Sequence, residues 1–104
     1  MFVVLYRWRI RPNLEQQFVE NWSARTAYLQ EKYDSLGSRL HRGSDGIWYG
    51  YAQWKSAEQR EQVFNAESNT VSETSQKMRE AIEESLPEIQ LEITSDYLIS
   101  PEKF

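Results

Sequence analysis

Polar and apolar residues alternate at the start of the chain. One face of this segment carries Phe2, Val4, Tyr6, Trp8 and Ile10, and the other carries Val3, Leu5, Arg7, Arg9 and Arg11. A period of two residues is typical of a strand, because successive side chains point to opposite faces. The pattern therefore predicts a strand from Phe2 to Arg11. Pro12 ends it, since proline has no backbone N–H to donate.

A helical period follows this strand. Asn13, with Gln16 three residues later, fits a capping box at a helix N-terminus. Apolar residues then recur at the spacing of one helix side, namely Leu14, Phe18, Trp22, Leu29 and Tyr33. The sequence therefore predicts a helix from about Leu14 to Tyr33, with this stripe facing the core.

The middle of the chain has the pattern of a β-hairpin. A short strand is predicted from Gly37 to Arg42, and a second, dense in strand-forming residues, from Ile47 to Trp54. Between them, Gly43-Ser44-Asp45-Gly46 is a turn signal, because Asp-Gly pairs tolerate the backbone angles of tight hairpin turns. We therefore expect the two strands to pair.

Two more helices and a last strand complete the pattern. The helices begin at capping boxes formed by Ser56 with Gln59 and by Thr70 with Glu73, and they reach about Asn65 and Leu86. Pro87 ends the second helix. Apolar residues then alternate from Ile89 to Ile99, which predicts the final strand.

The predicted order is strand, helix, strand, strand, helix in two pieces, strand. This is the ferredoxin-like βαββαβ pattern, an α+β fold with an antiparallel sheet, and it spans residues 1–104 as a single domain. Helices cover only one face of such a sheet. The strand Ile47–Trp54 nevertheless carries large side chains on both faces. Because a monomer rarely exposes so apolar a patch, we predict a homodimer that joins the two sheets.

Composition narrows the function classes. The 104 residues include 12 Lys and Arg against 16 Asp and Glu, so the net charge of -4 disfavours nucleic-acid binding. The chain has no cysteine and one histidine, His41, which excludes disulfides, thiolate nucleophiles and metal sites built on histidine pairs. We expect no cofactor, because no phosphate-binding or dinucleotide glycine motif is present. The N-terminus resembles neither a signal peptide nor a membrane span, so we expect a cytoplasmic protein without a membrane partner.

Four segments carry a family resemblance. They are the strand ending Arg9-Ile10-Arg11-Pro12, the helix with Phe18 and Trp22, the hairpin segment Leu36–Arg42, and the strand ending Tyr51-Ala52-Gln53-Trp54 before Ser56. Together they resemble the antibiotic-biosynthesis-monooxygenase-like proteins, and the resemblance covers nearly the whole chain. It implies a dimeric α+β barrel with a cavity between sheet and helices in each protomer. Relatives of this kind include cofactor-free oxygenases of quinols and aromatic polyketides, and haem-degrading enzymes.

The haem-degrading branch of that family uses an Asn, a Trp and a His. A gapless placement puts these positions at Tyr6, Val63 and about Glu73, so none of the three residues is present. His41, the one histidine, falls on a predicted strand instead of the usual helix. The sequence therefore resembles a haem-degrading relative without the usual triad.

The strand faces that look toward the helices hold the candidate site. In the family Trp54 belongs there, so Trp48 shares its face, and Tyr6 and Trp8 should join them. An even number of residues in the hairpin loop would bring Arg39 and His41 to this face, and an odd number would turn them away. The sequence leaves both possibilities open. The candidate wall consists of Tyr6, Trp8, Arg39, His41, Trp48 and Trp54, with room above Gly50 and Ala52 and with Trp22 contributed by the helix.

Such a wall suits a flat aromatic ligand, because indole rings stack on other rings. The first hypothesis is a cofactor-independent monooxygenase that acts on a quinol-type or polycyclic aromatic molecule. His41 would be the base, Arg39 would stabilise the oxyanion, and Tyr6 would orient the substrate. The second hypothesis is a non-catalytic homodimer that binds a small apolar ligand, and the third is a structural dimer. If the tryptophans fill the space between sheet and helices, no substrate fits there.

Overall fold

β1 (Phe2–Ile10) lies inside the sheet and pairs with a strand on each side. In the computed structural model, which describes residues 1–68 and 72–99, the elements that follow are α1 (Glu15–Tyr33), β2 (Ser38–Arg42), β3 (Trp48–Trp54), α2 (Ala57–Glu67), α3 (Glu73–Ala81) and β4 (Ile82–Glu92). The strands form one antiparallel sheet in the order β2-β3-β1-β4. The predicted α+β class and ferredoxin-like order are confirmed, with the second helix in two pieces.

The two faces of the sheet differ, as the alternation in β1 and β3 predicts. Val4, Ala52 and Trp54 pack against the helices on what we call the helix-covered face, where Val63 of α2 and Phe18 of α1 are also buried. The other side, which we call the open face, carries two rows of paired side chains: Leu5 with Tyr51 and Arg39, and Arg7 with Tyr49 and His41. Every helix packs on the first face, so the second depends on other parts of the molecule for cover.

The start of α1 corrects one prediction. Asn13 has a φ of 70°, a left-handed conformation that asparagine tolerates, and the N-cap residue is Leu14, which makes no side-chain capping bond. The side chain of Gln16 donates to Glu20 at 3.0 Å instead of closing a capping box. The prediction that Asn13 caps the helix is therefore wrong, although the helix spans almost the predicted range.

α2 begins where the capping box predicts. The Ser56 hydroxyl accepts a hydrogen bond from the Gln59 N–H at 3.0 Å, and the Gln59 side chain accepts one from the Lys55 N–H at 2.9 Å. The first bond satisfies a donor that a helix N-terminus leaves without a partner, and the second joins the residue before the cap to the first turn. Within residues 1–68 and 72–99, no helix has the length and apolar character needed to cross a bilayer.

α3 is shorter than predicted. Ser72 caps it, since its hydroxyl accepts from the Ser75 N–H at 3.1 Å, whereas the predicted cap Thr70 lies outside the described residues. The helix ends at Ala81, not near Leu86. The chain then enters β4 without a connecting loop.

The pairing of β4 with β1 explains why α3 ends earlier than predicted. β1 needs hydrogen-bond partners along its second edge, and β4 supplies them from Ile82, opposite Ile10, to Glu92, opposite Phe2. The predicted final strand Ile89–Ile99 is therefore wrong at both ends. Pro87 lies within the strand and does not separate a helix from a strand.

Residues 93–98 cover part of the open face. They line a groove together with Val3, Tyr51 and Leu91, and Leu98 also approaches β2 near Ser38. Val3 is fully buried although it points to the open face. Tyr97 and Leu98 are 91% and 80% exposed, so this segment presents apolar side chains outward.

Candidate functional site

Arg39 and His41 do not join the predicted wall. Five residues, 43–47, separate β2 from β3, and this odd number pairs Arg39 with Tyr51 and His41 with Tyr49. Directly opposed residues share a face, so both side chains point to the open face, where both are exposed. The expectation that they line one cavity with the tryptophans is wrong for this register.

Two tryptophans, Trp8 and Trp22, fill the space that Gly50 was expected to leave open. A Cβ built at Gly50 would lie 2.8 Å from the Trp8 ring and 3.7 Å from Trp22 Nε1. Phe18 closes the layer, with its ring 5.2 Å from Trp8 and 5.9 Å from Trp48 in edge-on contacts. Trp8 and Trp22 therefore occupy the volume above Gly50 that a ligand would need, and Trp48 is buried in the same hydrophobic cluster.

Tyr6 is the predicted site residue that retains a distinctive polar environment. Its hydroxyl accepts a hydrogen bond from Arg60 Nε at 3.2 Å, and Arg60 Nη2 donates to Glu88 at 2.8 Å. Arg60 comes from α2 and Glu88 from β4, so three elements meet at this point. The Arg60 side chain is only 15% exposed, which strengthens its charge interactions relative to those of a solvated arginine.

Aromatic rings surround the Arg60 guanidinium. It lies 4.6 Å from the centre of the Phe64 ring and 5.6 Å from that of Tyr6, within the range of cation–π attraction. Trp54 contacts Phe64 edge-on at 6.0 Å. Its Nε1 is buried and has no hydrogen-bond partner among the described residues, although it lies close enough to the Tyr6 hydroxyl to lower the pKa of that group. Trp54 thus packs beside Tyr6 and Phe64, and its role in binding a substrate stays a prediction.

The Tyr6 hydroxyl remains protonated at neutral pH. Burial raises its pKa above the ordinary value of 10.0, and the positive charge of Arg60 only partly opposes this rise. A neutral phenol can donate as well as accept. Among the residues that the structure describes, none accepts a hydrogen bond from this hydroxyl.

A cavity of about 270 Å³ opens beside Arg60, between α2 and the sheet. Its lining comes from α2, β1 and β4 and consists of Phe2, Ala57, Arg60, Glu61, Phe64, Asn65 and Gln90. A neighbouring hollow of about 400 Å³ shares Phe2 and Gln90 with it. The lining combines two aromatic rings with one partly buried cation, a combination that suits an aromatic molecule carrying an acidic hydroxyl.

The sequence pattern did not place Arg60 or Glu88 among the candidate site residues. Arg60 lies in a predicted helix of polar composition, where an arginine is usually solvated, and Glu88 follows the proline that was expected to end a helix. The available signal was the Phe64 ring four residues after Arg60, at the spacing that brings side chains together on one helix side. Within residues 1–68 and 72–99, no three His, Asp or Glu side chains come together as a potential metal-binding group.

Solved structures with this fold include a candidate antibiotic biosynthesis monooxygenase from Bordetella bronchiseptica, with a TM-score of 0.75 and 12% identity over 90% of this chain and 97% of that one. Another, from Chloroflexus aurantiacus, has a TM-score of 0.69 and 9% identity over 95% and 98% of the two chains. The haem degrader MhuD from Mycobacterium tuberculosis, solved with two haems bound in its active site, has a TM-score of 0.69 and 14% identity over 92% and 98%. No protein-family model and no curated protein sequence matches the chain. The predicted resemblance is confirmed at the level of the monooxygenase-like fold, which by itself does not fix a reaction.

Proposed function

We propose that this protein is a cofactor-independent monooxygenase that acts on a small quinol-type aromatic molecule in the cavity beside Arg60. The observation that carries the proposal is the partly buried Arg60 guanidinium, held at the Tyr6 hydroxyl and facing that cavity. The volume of about 270 Å³ lies just below the usual range for ligand pockets. It therefore favours substrates of one or two rings over polycyclic ones.

The reaction requires no external reductant. A quinol or naphthol with a hydrogen on the ring carbon ortho or para to a hydroxyl reacts with O₂ to give a quinone that carries one new oxygen atom on that carbon, and the second oxygen atom leaves as water with two hydrogens from the substrate. Loss of the phenolic proton supplies the electron-rich anion that meets oxygen. Arg60 favours that anion through its positive charge, and Tyr6, which is not part of the cavity lining, holds Arg60 in place by accepting the hydrogen bond from its Nε. Arg39 and His41 take no part in this site, because they lie on the open face.

The test measures oxygen uptake with a panel of hydroquinones and naphthols. Wild-type protein should raise uptake above the rate of each substrate alone, and Arg60→Met should abolish the increase. Arg9→Met is the matched control, since Arg9 also pairs with a β4 glutamate, Glu84, but on the open face at 3.1 Å. His41→Ala should retain activity. Uptake that survives Arg60→Met, or that is lost in His41→Ala with the fold intact, contradicts the proposed site.

The second candidate is a non-catalytic homodimer that binds a small apolar ligand. The observation that favours it is the Trp8 ring above Gly50, which fills the interior where a larger substrate would otherwise lie. Thermal stabilisation by members of the panel without oxygen uptake would support this alternative. A haem-degrading activity has less support, because the resemblance places Tyr6, Val63 and about Glu73 where that branch has its Asn, Trp and His.

The proposal also includes assembly into a homodimer through the open face. Ile89 and Leu91 of β4 are 40% and 41% exposed on this face, next to the outward-pointing Tyr97 and Leu98. Together they form an apolar surface that a second sheet would cover. Sedimentation should give twice the monomer mass, and Leu91→Glu should shift the protein to the monomer. A monomeric wild type at micromolar concentration would overturn this part of the proposal.

A further inference from the structure

β4 contains a bulge directly opposite Tyr6. Leu5 pairs with Ile89 and Arg7 pairs with Leu86, so two steps along β1 correspond to three steps along β4. One extra residue therefore lies in the β4 strand across from Tyr6. Bulges bend a strand locally and change the direction of its side chains.

Pro87 suits this position because it has no backbone hydrogen to contribute to a ladder. Its carbonyl accepts two hydrogen bonds from Arg7, at 3.1 Å from Nε and 2.8 Å from Nη2. Arg7 lies on β1 itself, so the central strand holds the bulge at a defined place. The residue that follows is Glu88, whose carboxylate reaches Arg60 at 2.8 Å.

We propose that Glu88 is a positioning residue that holds the Arg60 guanidinium in the orientation in which it meets the Tyr6 hydroxyl and faces the cavity. This inference rests on the proposed function of that cavity. Glu88 is not part of the cavity lining, so it acts through Arg60 and not on the ligand. The two hydrogen bonds leave from different atoms of one rigid planar group, and together they define its orientation.

Holding the Arg60 side chain in one orientation strengthens ligand binding because of the rotamer freedom of arginine. A free arginine side chain samples many conformations, and fixing it when a ligand binds lowers affinity. With Glu88 in place this cost is met during folding, so the guanidinium is already oriented when a phenol arrives. Glu88 also has an opposing effect, because its negative charge offsets part of the positive charge that attracts a phenolate.

These two effects can be separated with two substitutions. Glu88→Gln keeps an oxygen that accepts from Arg60 but removes the charge, whereas Glu88→Ala removes both. If Glu88 positions Arg60, Glu88→Gln should bind 4-nitrophenolate as tightly as wild type or more tightly, and Glu88→Ala should bind it about tenfold more weakly. If only charge matters, both variants should bind more tightly. Glu84→Gln, which removes the exposed partner of Arg9, is the matched control and should leave binding unchanged.

A second measurement needs no ligand. The Nε–H resonance of Arg60, assigned from its loss in Arg60→Lys, should be protected from solvent exchange in wild type and in Glu88→Gln. It should lose that protection in Glu88→Ala. Retained protection in Glu88→Ala overturns the positioning role, whatever the binding data show. If the wild type binds no phenol and Glu88→Ala loses the protection, the positioning role is supported and only the proposed function is contradicted.

Discussion

The buried carboxylate of Glu67 offers a quantitative test of how α2 is held against α1. Its side chain is 4% exposed and accepts hydrogen bonds from four groups of α1: Tyr33 at 2.5 Å, Arg25 at 3.2 Å, and Lys32 and Tyr28 at 3.3 Å. A charge removed from water is stable only when such partners replace its hydration. The prediction is that Glu67→Gln weakens the folded state substantially at neutral pH.

The magnitude follows from the pKa of Glu67. The Tyr33 hydroxyl, and then Lys32, Tyr28 and Arg25, lower it from the ordinary value of 4.5 to about 2. By proton linkage, this lowering corresponds to about 3 kcal/mol of folding free energy at pH 7. Because the folded pKa is the lower one, the contribution is complete above about pH 4.5 and is lost as the pH falls toward 2.

The assay is urea unfolding of wild type and Glu67→Gln at pH 7 and at pH 3.5. At pH 7 the variant should be less stable by about 3 kcal/mol. At pH 3.5 the gap should narrow by about 1.4 kcal/mol, because the unfolded wild type then binds a proton that the folded form does not. Glu73→Gln is the control, since Glu73 pairs with Lys77 on an exposed helix surface and should change stability by less than about 0.5 kcal/mol.

Two outcomes would refute this reasoning. A Glu67→Gln variant within about 0.5 kcal/mol of wild type at pH 7 would show that the charge is not needed for the four contacts. A gap that stays constant between pH 7 and pH 3.5 would show that Glu67 keeps an ordinary pKa in the folded protein. In either case the cluster would contribute packing and not charge.

Two further substitutions test the packing and the capping. Gly50→Ala should destabilise the protein by about 1–3 kcal/mol, because the new Cβ would lie 2.8 Å from a Trp8 ring that Tyr6 and Phe18 hold in place. An increased melting temperature of the variant would contradict this prediction and show that the Trp8 ring moves freely. Ser56→Ala should lower the free energy of unfolding by about 1 kcal/mol, because the Gln59 N–H loses its capping partner. Equal urea midpoints for Ser56→Ala and wild type would contradict this prediction.

The sequence determined the elements whose pattern is local. Alternation in β1, the apolar stripe of α1 and the Asp45-Gly46 turn each identified their element correctly, because a strand or a helix side is set by the spacing of neighbouring residues. The Ser56 cap was equally readable, since its partner Gln59 lies three residues away. These elements in this order were sufficient to predict the ferredoxin-like fold.

The sequence was ambiguous around Pro87. Met78, Ile82 and Leu86 are spaced as a helix stripe, so the pattern favoured a helix reaching Leu86. The structure has a strand from Ile82 because β1 requires backbone partners along its whole edge, and that requirement is absent from the local pattern. The bulge at Pro87 then accommodates a proline that would interrupt a regular ladder.

Only the tertiary structure decided which side chains form the candidate site. The odd number of residues in the hairpin loop placed Arg39 and His41 on the open face, because successive side chains along a strand point to opposite faces. Arg60 and Glu88 are 28 residues apart in the chain and belong to different elements, so no local spacing rule predicts their contact. The sequence therefore determined which helices and strands form, whereas the pairing of distant strands determined which polar groups meet, because that pairing depends on backbone hydrogen bonds and packing across the whole sheet.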